Sequence, residues 1–142
     1  MVKIVQLFSI YALYYDVYSD KLNLSSITRY GGDILVLDKE IMKGSVDIFI
    51  LSIINKQDTY GYEIAKCIKG KSEGAYSMGE GTLYPALKRL EGKELIKSYW
   101  KENELTGKRK YYRITDEGEA TLNEKVSQWN KVTDLINIFK EE

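Results

Sequence analysis

From residue 42 onward the chain reads as a mainly α-helical domain with one small β-hairpin, in the order helix, helix, helix, hairpin, long helix. Three observations predict this. Leu83, Leu87 and Leu90 recur at i, i+4 and i+7, the apolar stripe of a short helix. Residues 95–101 and 108–114 alternate in polarity around a polar loop containing Gly107, the pattern of an antiparallel hairpin. Leu122, Val126, Trp129, Val132, Ile136 and Phe139 then repeat every three or four residues along one final helix, with Leu135 and Ile138 widening the stripe.

Each element has a local reason. Residues 1–41 differ in character, with an apolar, tyrosine-rich start after a single Lys3. That run is too short to span a bilayer and no small-residue cleavage site follows it. It fits a docked strand or helix, a poorly ordered extension, or upstream message read as protein with Met42 as the authentic start. Residues 43–55 hold Val46, Ile48, Phe49, Ile50, Leu51, Ile53 and Ile54, apolar nearly all round, and predict a buried core helix. Asp58 and Thr59 are placed to cap a second helix over 61–69, with Ile64, Ala65 and Ile68 inward. After a loop over 70–78, Ser77 and Glu80 have the spacing of a capping box for the third helix. Pro85 cannot donate to the helical ladder, so either Thr82 caps and Pro85 lies in the first turn, or the helix kinks there. Both place Tyr84 near the helix start, where backbone N–H groups favour phosphate. Thr115, Asp116 and Glu117 cap and charge the start of the last helix, about 36 Å long at 1.5 Å per residue. A core of this size cannot cover so long an apolar face, and a second copy of the chain is expected to do so.

Composition narrows the function. The 142 residues contain no histidine, which excludes a histidine general base, a Ser-His-Asp triad and a histidine metal site. Cys67 is the single cysteine, so neither an internal disulfide nor a cysteine-based zinc site forms. It fits a small packed residue better than a redox group, and the missing disulfide framework points to a reducing cytoplasm. With no paired carboxylates, nucleophile–base set or phosphate loop, we expect no enzyme, no cofactor and no metal. The net charge of zero conceals a partition. Residues 60–113 carry twelve Lys and Arg against seven Asp and Glu, a net of +5, whereas residues 114–142 carry three against seven, a net of −4. A basic middle suits a polyanion, and an acidic tail helix suits protein contact.

The third helix presents Thr82, Tyr84, Lys88 and Arg89 off its apolar stripe, types able to hydrogen-bond phosphates and base edges. Lys108, Arg109 and Lys110 cluster on the hairpin, Tyr62 lies at the start of the second helix, and Lys43 precedes the first. These nine residues form the expected DNA-binding set.

The segments Tyr60-Gly61-Tyr62-Glu63-Ile64, Gly81-Thr82-Leu83-Tyr84-Pro85-Ala86-Leu87-Lys88-Arg89-Leu90 and Lys110-Tyr111-Tyr112-Arg113-Ile114-Thr115, with Gly118, resemble the PadR family of bacterial transcriptional regulators. The likeness runs from Met42 to about Phe139. It implies a winged helix-turn-helix DNA-binding domain over 42–115 and a C-terminal dimerisation helix over 116–142, with 1–41 outside it. The dimer interface would comprise Leu122, Val126, Trp129, Val132, Ile136 and Phe139. Ser127-Gln128-Trp129-Asn130-Lys131-Val132 is similar to the segment of multidrug-responsive members in which paired tryptophans sandwich planar aromatic compounds. The resemblance thus implies Trp129 as the stacking residue, with Leu122, Val126, Ile48 and Leu51 as walls. Two departures stand out. Thr133 occupies the place of an acidic residue in those drug binders, and Glu94 that of a glycine before the Leu-Ile pair entering the wing. If that position needs positive φ, Glu94 costs on the order of 1 kcal/mol. The implied function is a dimeric, cytoplasmic repressor on a near-palindromic operator, relieved by an aromatic effector and controlling a nearby efflux or detoxification operon.

Overall fold

The apolar run after Met42 folds as a helix because its side chains have somewhere to go. In the computed structural model, which describes residues 42–141, helix α1 spans Val46–Lys56 and buries Val46, Ile48, Ile50, Leu51 and Ile54. It begins three residues later than expected. Met42 and Lys43 are themselves helical, and a turn at Gly44–Ser45 separates them from α1, with Ser45 N–H bonding the Met42 carbonyl at 3.0 Å and the Ser45 hydroxyl donating to the same oxygen at 2.8 Å. Expectations concerning residues 1–41 lie outside the described residues.

Helix α2 covers Gly61–Lys71 and α3 covers Glu80–Gly92, and each departs from the expected capping. Thr59 does not cap α2. Thr59–Tyr60 forms a short strand, β1, which pairs antiparallel with a later strand through Thr59↔Tyr112 and Tyr60↔Tyr111. Tyr60 becomes the N-cap of α2 without any side-chain cap bond. Nor do Ser77 and Glu80 form a capping box: the N-cap of α3 is Gly79, which bonds through its carbonyl alone. Thr82 does not cap α3, which starts at Glu80, places Thr82 inside its first turn and carries Pro85 within the helix.

Strands β2 (Ile96–Asn103) and β3 (Gly107–Ile114) make the hairpin, in register from Ile96↔Ile114 to Asn103↔Gly107. The turn is tighter than the six-residue loop expected over 102–107. Three residues connect the strands, Gly107 takes φ +73°, and the Asn103 side-chain oxygen accepts the N–H groups of Leu105 and Thr106. With β1 the sheet has three strands in the order β1-β3-β2. Helix α4 spans Asp116–Glu141, about 39 Å at 1.5 Å per residue. Thr115 caps it as expected, its hydroxyl oxygen accepting the Gly118 N–H at 3.0 Å.

One core serves all of these elements. Ile50, Leu51 and Ile54 of α1 meet Ile64 of α2, Leu83, Leu87 and Leu90 of α3, and Ile96 of β2. From α4 the only buried large side chain in this core is Leu122.

The link between α3 and β2 adopts the left-handed cap that the sequence departure at Glu94 anticipates. Glu94 has φ +59°, its N–H bonds the Glu91 carbonyl at 2.9 Å, and Leu95 N–H reaches back to Leu90 at 3.0 Å. That is a Schellman cap with a Cβ-bearing residue where glycine is favoured. Glu94→Gly is expected to stabilise the domain by about 1 kcal/mol, visible as a rise of several degrees in melting temperature.

Candidate nucleic-acid interface

Helix α3 seats Leu83, Ala86, Leu87 and Leu90 in the core. At 100° per residue, Tyr84, Lys88 and Glu91 then share the flank facing the sheet. Strand alternation turns Ser98 and Trp100 of β2, and Lys108, Lys110 and Tyr112 of β3, toward that flank. Between them lies an open groove of ≈ 640 Å³, lined also by Tyr60, Gly61, Tyr62 and Arg109. Its rim is aromatic and wet: Tyr62 and Trp100 are each 62% exposed and Tyr84 is 48% exposed. Gly61 permits this arrangement, because a Cβ there would sit 3.1 Å from the Tyr84 ring and hydroxyl. The Tyr84 phenol therefore rests over the N-terminus of α2 rather than marking the start of its own helix, which lies a turn away.

The cations of the groove are not equivalent. Lys88 is exposed, and the Lys108 ammonium stands 5.5 Å above the Trp100 ring. Arg109 stacks its guanidinium 4.8 Å over Tyr60, with its Nε buried and without a hydrogen-bond partner. Lys110 pairs with Glu91 at 3.2 Å, and Glu91 also accepts the Ser98 hydroxyl.

Six of the nine residues expected to bind DNA therefore converge: Tyr62, Tyr84, Lys88, Lys108, Arg109 and Lys110. Three do not line the groove. Arg89 points to α1, where it pairs with Asp47, and Asp47 also faces Lys125 of α4 at 3.8 Å. Thr82, seven residues before Arg89, shares its side of α3, and Lys43 is exposed just ahead of the turn that precedes α1. Tyr60, Gly61, Glu91, Trp100 and Tyr112 are the lining residues that the expected DNA-binding set lacks. Their signal was the Trp100↔Lys110 register and the α3 spacing, readable only once the strands are paired.

A second node braces the wing from behind. Asp58 accepts the Tyr99 hydroxyl at 2.7 Å and the Arg113 guanidinium at 2.8–2.9 Å. Hydrogen bonding from Arg113, aided by Tyr99, holds the Asp58 carboxyl below its ordinary range. Glu91 is lowered likewise, first by Ser98 and then by Lys110. A carboxyl with a depressed folded-state pKa contributes stability above its unfolded pKa and loses it as pH falls through the folded value. Urea midpoints should therefore hold from neutral pH to about pH 4 and drop below it, with a shallower drop in Asp58→Asn.

The expected effector residues separate into two groups. Trp129 is half-buried, its indole N–H approaches the Gly44 carbonyl at 3.4 Å, and it lines a recess of ≈ 210 Å³ with Gly44, Lys125, Gln128 and Val132. Val126 packs partly buried against the core. Leu122, Ile48 and Leu51 are consumed by the core, at 3%, 8% and 0% exposure, and none lines the recess. Leu122 accordingly offers no side-chain surface to a second copy either. Beyond Trp129 the stripe is uncovered, with Ile136 57% and Phe139 74% exposed.

The sequence profile of the Transcriptional regulator PadR-like family matches residues 50–124, which span α1 to the first turns of α4. The chain belongs to the PadR-like family of transcriptional regulators. Solved structures of transcriptional regulators agree. A transcriptional regulator from Clostridium thermocellum is 42% identical, covering 71% of this chain and 98% of its own, at a TM-score of 0.66. A PadR family regulator from a hypervirulent Clostridium difficile strain is 46% identical, covering 67% and 97%, at 0.60. A PadR-like regulator from Bacillus cereus is 34% identical, covering 73% and 99%, at 0.64. The fold of this PadR-like regulator is the winged helix with a long terminal helix, and its family acts in transcription rather than as enzymes. No helix among the described residues is long and apolar enough to cross a membrane.

Proposed function

We propose that this PadR-like regulator is a homodimeric, DNA-binding repressor working in the cytoplasm. The observation that carries the reading is the groove between α3 and the wing, where exposed Tyr62, Tyr84 and Trp100 stand among Lys88 and Lys108. Phenols and ammonium groups there serve phosphate contacts, and α3 has the dimensions to enter a major groove. Residues 42–115 would grip DNA and 116–142 would pair the chains. Two copies joined along α4 would set two α3 helices into successive major grooves of a near-palindromic site, about one helical turn (~34 Å) apart. Binding to duplex carrying the chain's own promoter should fall steeply between 50 and 200 mM salt, as counterion release requires. A salt-insensitive interaction, or none, favours a winged-helix module that binds protein instead.

The effector reading rests on the Trp129 recess. Its ≈ 210 Å³ is below the roughly 300 Å³ at which drug-sized pockets begin, so one chain supplies half a site and its partner the other half. A planar aromatic or hydrophobic molecule stacked between two Trp129 rings would relieve repression to the extent that it prefers the DNA-incompetent spacing of the wings. In a Trp100→Phe background, titration with planar dyes should quench Trp129 emission. Unchanged emission identifies a constitutive regulator.

A further inference from the structure

Among the residues lining the α3–wing groove, Glu91 carries the one carboxylate. It lies a turn beyond Lys88 and two turns beyond Tyr84 on the same flank, so it faces whatever the groove receives. Gln, Ser or Ala there would leave the core unchanged, since Glu91 is only half-buried and belongs to no apolar cluster. Its oxygens instead hold Ser98 and Lys110, with the Lys110 ammonium at 3.2 Å. Lys110 thereby enters the groove already neutralised, and Glu91 places a fixed negative charge where phosphates would approach.

We propose that Glu91 is a selectivity residue that masks Lys110 and repels phosphate, weakening indiscriminate binding to duplex DNA. This rests on the reading of the groove as the DNA-binding surface and assigns one residue a role within it. Any duplex offers phosphates, so sequence-independent affinity rises with each cation left unpaired. Cancelling Lys110 lowers that floor and leaves discrimination to contacts with base edges. A residue that merely positioned Lys110 for DNA would act in the opposite direction, which makes the sign decisive.

The experiment measures binding of the full chain to a 30-base-pair duplex of unrelated sequence by fluorescence anisotropy, from 50 to 300 mM salt. The proteins are wild type, Glu91→Gln, Lys110→Gln and the double variant. Glutamine keeps the shape and can still accept from Ser98. Glu91→Gln is expected to bind roughly tenfold tighter near 100 mM salt, with a log–log slope steeper by about 0.9 per protomer. Lys110→Gln should bind more weakly than wild type, and the double variant should return to wild-type affinity and slope. Glu91→Gln binding no better than wild type, with the double variant tracking Lys110→Gln, overturns the proposal while leaving the groove reading intact. A wild-type chain without any salt-sensitive duplex binding overturns the groove reading, and this inference with it.

Discussion

Gly118→Ala should cost about 3 kcal/mol or more, a substantial part of the stability of a domain this size, and should abolish DNA binding at 37 °C. A Cβ at this position would lie 2.0 Å from the Leu95 carbonyl oxygen and 2.8 Å from the Ile114 side chain. The Leu95 backbone is held from both sides. Leu95 N–H completes the cap of α3 by bonding Leu90, and the Leu95 carbonyl accepts the Thr115 N–H at 3.0 Å. The Thr115 hydroxyl also donates to the Glu94 carbonyl at 2.7 Å, so the end of α3, both ends of the hairpin and the start of α4 meet at one junction. Forcing them apart would tilt α4 and loosen the wing together. Urea denaturation would read the loss as a lower midpoint at unchanged slope, and a near-neutral result would mean the junction relaxes freely.

Ile136→Asp combined with Phe139→Asp should act in the opposite way, on assembly and not on folding. Both side chains are exposed in the single chain, so stability of the protomer should change by less than about 0.5 kcal/mol. If α4 pairs two copies, two carboxylates on its apolar stripe would each have to be desolvated at the seam, and the dimer should dissociate at micromolar concentration. Loss of the second half-site contact would then weaken operator binding by roughly 10²-fold or more. Sedimentation of the purified variant distinguishes the cases, and a persistent dimer would place the interface elsewhere.

Much of this architecture was legible because periodicity reports burial directly. The stripe Leu83, Leu87, Leu90 faces the core, and the alternating segments became β2 and β3. Thr115 was readable as a cap because its partner, Gly118, is three residues away. Misreadings arose where local chemistry competed with distant partners. Asp58 has the right type for an N-cap, but Arg113 and Tyr99, 55 and 41 residues away, claim its carboxylate. Thr59 and Tyr60 pair with β3 at a strand length of two residues, too short for any alternation to announce. Arg89 belongs to the basic α3, but in the single chain it stands off the groove, paired with Asp47 of α1. Glu91 and Trp100 join the groove only through strand register, which no single segment encodes.

Within this account, DNA is held by the α3–wing groove and by no other face of the domain. Amide and side-chain resonances of the isotope-labelled protein, followed by NMR as duplex DNA is added, report that face directly. Shifts should concentrate at Tyr62, Tyr84, Lys88, Trp100 and Lys108 and diminish as salt is raised. Shifts gathered instead on the opposite sheet face, at Lys97, Tyr99 and Lys101, or no shifts at all, would contradict it.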